Sequence, residues 1–389
     1  MKTRKTVTTL VLLAACTALI VFAAERMLYA EEQIPDERVP VVDISKETDR
    51  HVVIAQGTPK VYQGHPTTVL MPDNKTMFCV WCIGHGGRCG PMAKSTDAGK
   101  TWKRIDDRLP KGWAKARNCP AIYRLKDPEG KERLFVFAGF DRGAMWSAHS
   151  EDGGRTWSDM KPTDDRKGPV MPWCTIAPIE NGKKLLAMTN IRPPKTTRKW
   201  NVVAQSISED GGVTWSPYRV VTDVKGRNLC EPFLLRSDDG KELCCLMREQ
   251  THRDNSMMMF SRNEGKTWST PEFTPWGLTG DRHKGVRAPD GRWVIAFRDT
   301  AKGSPTRGHF VAWVGTYEDI RKARPGQCRI KLLHSHAGWD CGYPGMEVLP
   351  DGTIVATTYI KYRPGKNKHS VVSTRFKMKE IDAKLRAKN

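Results

Sequence analysis

Four residues of this chain, Glu231, Arg248, Arg298 and Tyr343, have types and spacing that suit chemistry on one small molecule. Glu231 and Tyr343 each stand nine residues before the second position of an Asp-Gly turn, and Arg248 and Arg298 stand eight and seven after one. A glutamate beside a tyrosine can take the phenolic proton and make the oxygen a nucleophile. Two guanidinium forks can grip a carboxylate bidentately, which lysines do less well. Together they suit a sugar with a carboxylate on its anomeric carbon, because that group would repel a carboxylate nucleophile but not a neutral tyrosine. Similar offsets hold His65 and His283, with Asp281 and Arg282 just before the latter. A lone arginine ending a strand is ordinarily a solvated terminus, and such a set could be a structural ion-pair network. Its recurrence at equivalent offsets favours a functional cluster.

The offsets are measured from turns that recur along the chain. These are Asp73-Asn74-Lys75, Glu129-Gly130-Lys131, Asn181-Gly182-Lys183, Asp239-Gly240-Lys241, Asp290-Gly291-Arg292 and Asp351-Gly352-Thr353, with second positions 56, 52, 58, 51 and 61 residues apart. Each lies between short β-rich runs, such as Thr67–Met71 and Met77–Trp81, which is a hairpin signature. A second series follows the first four turns: Ser95–Trp102, Ser150–Trp157, Ser208–Trp215 and Ser261–Trp268. All read Ser-x-Asp-x-Gly-x-Thr-Trp, with Asn263 replacing Asp in the last. Their chemistry is that of a turn: Asp accepts backbone N–H groups, Gly supplies a positive φ and Trp packs the hairpin down. Radial repetition of such units predicts an all-β, six-bladed β-propeller over residues 55–376; a linear solenoid is the alternative. Residues 31–54 form an N-terminal segment whose Val52-Val53-Ile54 run is a closing strand, and 377–389 form a basic tail. Turns and boxes mark one face, which leaves the candidate residues on the other.

The boxes, with Glu231-Pro-Phe-Leu-Leu…Met-Arg248 and Asp340-Cys-Gly-Tyr343-Pro-Gly…Leu-Pro-Asp-Gly-Thr, resemble the bacterial sialidase (neuraminidase) superfamily, especially exported Asp-box (BNR) repeat proteins. The resemblance covers residues 55–376. It implies an exo-acting glycoside hydrolase that removes sialic acid or a related acidic sugar, with Tyr343 as nucleophile, Glu231 as base, and Arg248 and Arg298 as clamp. Two positions depart from the family pattern. Its first arginine precedes an Ile-Pro, where this chain has Gly64-His65-Pro66. Its acid/base aspartate is absent from the loop Cys82–Pro91, which carries His85 and Arg88 instead. Asp281 or Asp340 could supply the acid, and His65 or Arg282 could complete the anion site alongside His283 and His85. Two other functions fit the same scaffold: a hydrolase or lyase on another acidic polysaccharide, and a non-catalytic glycan-binding propeller.

The formal charge is +21. Residues 1–30 begin with Lys2, Arg4 and Lys5 and continue in an apolar run, which reads as a bacterial export signal. Its endings include cleavage near Ala23 or Ala30, a lipoprotein box at Leu13–Cys16, and an uncleaved anchor, so membrane contact is expected only through this segment. Each ending places the rest in the periplasm, at the cell envelope or in the medium. Removing the segment takes away Lys2, Arg4, Lys5, Arg26 and Glu25 and leaves +18. A basic, exported body suits an anionic glycan. Nucleic acid is not an expected partner, since the basic residues are scattered and no nucleic-acid motif appears. No motif calls for a metal or another cofactor, and the ten cysteines after Cys16 read mostly as small core residues.

Overall fold

The computed structural model describes residues 39–139, 144–163, 171–191 and 200–387. The expected export segment at 1–30 lies outside the described residues. At all six turn sequences the flanking strands pair antiparallel. Gln63–Leu70 pairs with Met77–Ile83, Arg117–Lys126 with Glu132–Gly139, and Thr175–Ile179 with Lys184–Ile191. Leu229–Arg236 pairs with Leu243–Glu249, Gly280–Arg287 with Trp293–Asp299, and Cys341–Val348 with Ile354–Ile360. Gly240 (φ 75°) and Gly352 (φ 79°) adopt the left-handed backbone these tight turns require.

The expectation of six separate blades is corrected by the pairing between units. The described strands form five sheets: one of eight strands, one of five and three of four. Arg88 pairs with Arg117, which joins the first two turn units into the eight-stranded sheet. Val41–Asp43 adds in parallel to Cys328–Leu333 and widens another to five strands. Turn residues report hairpins, and they carry no information on whether neighbouring hairpins join. The architecture is all-β and propeller-like. His51–Ala55 pairs antiparallel with Ser370–Phe376, so chain segments from the two ends of the described region share one sheet. Among the described residues no helix is long and apolar enough to cross a membrane.

The core lies between successive sheets, which is why central strands such as Leu243–Glu249 and Ile354–Ile360 are buried throughout. Phe233, Leu235, Cys244 and Leu246 of one sheet pack against Ile295, Phe297, Val311 and Trp313 of the next. Burying each large side chain of this kind contributes about 1.5–3 kcal/mol. The Asp boxes pin these interfaces. Gly265 has φ 79°, and a Cβ there would come within 2.8 Å of the Leu186 side chain in the preceding sheet, so the box turn is seated on that sheet through a glycine.

Within a box the carboxylate organises the turn. Asp210 accepts N–H bonds from Val213 (3.0 Å) and Thr214 (2.9 Å), the Thr214 hydroxyl (2.5 Å) and the Ser208 hydroxyl (2.8 Å). Asn263 keeps the same geometry in the fourth box, accepting from Thr267 N at 2.9 Å and donating to its hydroxyl at 2.8 Å. Asp210→Ala is therefore expected to cost about 1 kcal/mol after allowance for solvent screening, and Asp210→Asn less than half of that. Paired denaturant titrations check this; equal losses in both variants would contradict the assigned role.

Candidate functional site

Backbone register determines which side chains meet. Five of the hairpins' first strands break their ladder near the start: between Gly64 and Thr67, Arg117 and Ala121, Cys230 and Phe233, Asp281 and Lys284, and Gly342 and Gly345. Each break holds a left-handed residue, namely His65 (φ 48°), Cys119 (φ 51°), Glu231 (φ 50°), Arg282 (φ 58°) and Tyr343 (φ 54°). Four of them precede proline, which has no N–H to offer a ladder and so belongs where pairing lapses. A non-glycine residue in this region costs about 1–2 kcal/mol. Five at equivalent positions point to a functional constraint.

Their side chains converge. The Tyr343 hydroxyl donates to Glu231 Oε1. The Tyr343 ring centroid lies 4.2 Å from that of His65 and 5.1 Å from the Arg282 guanidinium. Cys119 Sγ is 3.5 Å from His65 Nδ1, which also accepts the Gly86 N–H at 3.0 Å. The residue before each bulge aligns with a second layer across the hairpin: Gly64 with Cys82, Cys230 with Arg248, Asp281 with Arg298, and Gly342 with Tyr359.

Charges alternate through this cluster. Arg248 donates from Nη1 to Glu231 Oε2 at 3.0 Å, and its Nε lies 2.8 Å from Asp281 Oδ1 as an ion pair without hydrogen-bond alignment. Arg298 donates from Nε to Asp281 Oδ2 at 3.1 Å and from Nη1 to the Trp339 carbonyl. His252 Nε2 lies 2.9 Å from Asp281 Oδ1. Burial raises the Glu231 pKa, but Arg248 and Arg282 outweigh it and hold the carboxyl below its ordinary value. Burial, then Cys119 and the Glu231 charge, push the Tyr343 phenol well above its ordinary value. Tyr343 thus keeps its proton and Glu231 is ready to receive it. Three guanidiniums face two carboxylates, which leaves a single positive charge.

An open cleft of about 510 Å³ exposes this cluster, within the range of small-ligand sites. Glu231, Tyr343, Arg248, Arg298 and His85 line it with a wall of carboxamides from Asn118, Asn190, Asn201 and Gln250.

The remaining candidates are placed differently. His283 points away: its Nε2 contacts the Leu278 carbonyl at 2.9 Å, its ring packs by Phe297, and burial brings its pKa down to about 4. The bulge advances the chain by one residue, so Arg282 takes the position that a count by twos gives to His283. Arg282 is buried beneath Tyr343, and among the described residues its Nη1 has no hydrogen-bond partner. His65 is buried against Tyr343 and held neutral by burial and by His85. Asp281 is ill suited to donate a proton. Burial alone would raise its pKa, but Arg248, His252 and Arg298 hold it well below the carboxylate range.

Sequence offsets missed Cys119, Tyr359, His252 and two of the wall's carboxamides, Asn201 and Gln250, whereas Asn118 and Asn190 stand near the repeating offsets. The X-Pro pairs at strand starts, His65-Pro66, Cys119-Pro120, Glu231-Pro232 and Tyr343-Pro344, would have located four of the five bulges. Among the described residues no cluster of His, Cys, Asp and Glu is arranged to hold a metal ion, and the ten cysteines are free and buried.

A hairpin array seated on Asp boxes, with a tyrosine–glutamate pair facing arginines, defines an Asp-box protein of sialidase-like fold. The chain belongs to the BNR repeat-like domain family, which it matches over residues 109–355. Among solved structures it is similar to a protein of unknown function from Dyadobacter fermentans, at 17% identity and a TM-score of 0.64, covering 84% of this chain and 97% of that one. It is also similar to the NanB sialidase of Streptococcus pneumoniae, at 12% identity and a TM-score of 0.55, covering 85% and 71%. A third likeness is to the intramolecular trans-sialidase of Ruminococcus gnavus, at 14% identity and a TM-score of 0.53, covering 85% and 97%. No curated protein matches the chain in sequence.

Proposed function

We propose that this protein is an exported, exo-acting glycoside hydrolase that removes a terminal anionic sugar, sialic acid or a related acidic residue, from glycans. The observation that carries the reading is the Tyr343 hydroxyl donated to an ionised Glu231 on the wall of an open cleft. In the reaction Tyr343 attacks the anomeric carbon as its proton passes to Glu231. The excess positive charge favours an anionic ligand, and Arg248 and Arg298 reach the cleft to meet it. The carboxamide wall offers neutral donors and acceptors to sugar hydroxyls. The expected signal segment and basic body fit an exported protein that meets glycans rather than nucleic acid.

One observation favours a second reading. Asp281 already occupies the space between Arg248 and Arg298, where a sugar carboxylate would bind. A hydrolase on another acidic polysaccharide, whose charge approaches Arg298 from the open side, fits that arrangement. Incubation with sialylated and uronic-acid glycans, followed by mass spectrometry of released sugars, separates the two. Free sialic acid is the expected product. Release of uronic acids alone favours the second reading, and glycan binding with no product would overturn both.

A further inference from the structure

Cleaving a glycosidic bond to an alcohol needs a proton on the departing oxygen. None of the groups described so far supplies it: Glu231 and Asp281 are ionised and bound to arginines, and Tyr343 gives its proton to Glu231. The loop between Met77–Ile83 and Arg88–Ser95 brings another group to the cleft. His85 lines it, with its side chain 60% exposed. Its Nδ1 lies 3.2 Å from Asp340 Oδ1 as an ion pair and 3.3 Å from the Tyr62 hydroxyl, which itself donates to Asp340. Among the described residues its Nε2 has no hydrogen-bond partner.

Asp340 is heavily engaged. It accepts the Tyr62 hydroxyl at 2.9 Å and the Tyr359 hydroxyl at 3.2 Å, and His369 Nε2 lies 3.2 Å from its Oδ2. Burial opposes the effect, but His85, His369 and Tyr62 hold this carboxyl well below its ordinary range. It is therefore an anion that orients an imidazole, and it has no proton of its own to give. The His85 ring stands edge-on to His65 with centroids 4.6 Å apart, and His65 in turn contacts Tyr343. One imidazole thus separates His85 from the nucleophile.

We propose that His85, oriented by Asp340, is the acid/base catalyst; the inference rests on the glycosidase reading above. Asp340 and the Tyr62 hydroxyl bound to it keep a proton on Nδ1, which leaves Nε2 to work in the cleft. In the first step His85 acts as the imidazolium, protonated on both nitrogens, and its Nε2 proton passes to the glycosidic oxygen as the bond from that oxygen to the anomeric carbon breaks. Tyr343 Oη bonds to that carbon, and the phenolic proton goes to Glu231. In the second step neutral Nε2 takes a proton from water, the hydroxide attacks the anomeric carbon, and Tyr343 leaves and regains its proton from Glu231. The titratable groups around His85 are Asp340, His65, His369, Tyr62 and Tyr359. Asp340 is a positioning residue.

The test compares the 4-nitrophenyl and methyl glycosides of N-acetylneuraminic acid, since nitrophenolate leaves without a proton and methoxide does not. His85→Gln is expected to lower kcat/KM for the methyl glycoside by about 10²–10⁴-fold and for the nitrophenyl glycoside by less than about tenfold. Added imidazole should restore methyl glycoside turnover. Asp340→Asn should show the same leaving-group bias to a smaller degree. Equal losses on both substrates, or none, would overturn the role of His85; if Tyr343→Phe still abolished turnover, the glycosidase reading would stand. Failure of the native protein to cleave either substrate would overturn the sialic acid reading and this inference with it.

Discussion

Tyr343→Phe is expected to lower kcat/KM by about 10³-fold or more while leaving a folded protein. The substitution removes only the hydroxyl that donates to Glu231. The ring contacts with His65 and Arg282 remain, so the cluster keeps its shape. Glu231 Oε1 loses a donor, which costs about 1–3 kcal/mol for a buried acceptor, but Oε2 keeps Arg248. The loss is thus chemical far more than structural. Glu231→Gln should fall by a comparable factor, about 10²–10⁴, because an amide cannot take the phenolic proton. Both variants are read by steady-state kinetics alongside thermal melts. More than a tenth of native activity in Tyr343→Phe would eliminate the tyrosine as nucleophile.

The pairing of Glu231 with Tyr343 was legible in the sequence because each lies nine residues before a glycine turn, and hairpins hold that offset. Arg248 and Arg298 were legible for the same reason on the following strands. The count failed where a bulge intervened. At Asp281-Arg282-His283 no proline flags the break, so a fixed offset assigns to the histidine the position that Arg282 takes. On the second hairpin the bulge residue Cys119 stands eleven residues before the second turn position, so the nine-residue offset does not reach it, although Pro120 follows it. On the last hairpin, Tyr359 reaches the cluster from the strand position opposite Gly342. Sheet number was hidden for a different reason. The Arg88–Arg117 pairing is a long-range contact, and turn chemistry is local. The contact of Asp281 with Arg248 was equally invisible, since it depends on strands from different hairpins lying side by side, whereas Arg298 faces Asp281 within one hairpin.

Asp281→Asn yields the second large effect, and it acts on stability and binding in opposite directions. Arg248 keeps Glu231 and Arg298 keeps the Trp339 carbonyl, but both lose their shared anion in a buried setting. Breaking one partner out of a buried pair costs about 3–5 kcal/mol, and the amide's residual hydrogen bonds place this case at the lower end. The pH dependence has a definite sign. The folded-state pKa of Asp281 lies well below its unfolded value near 3.9, so its contribution is complete above pH ~4 and is lost as pH falls from there. The native protein should therefore lead the variant by a constant margin at neutral pH, and the margin should shrink on acidification below pH ~4. Ligand binding should move the other way. If Arg248 and Arg298 are meant for a sugar carboxylate, Asp281 competes for them, and its neutralisation should tighten N-acetylneuraminate binding by about tenfold, or 1.4 kcal/mol. Calorimetric titration at neutral pH reads this directly. Weaker or unchanged binding beside the expected loss of stability would mean that the two arginines serve the scaffold, and the anionic part of the substrate would have to be met elsewhere in the cleft.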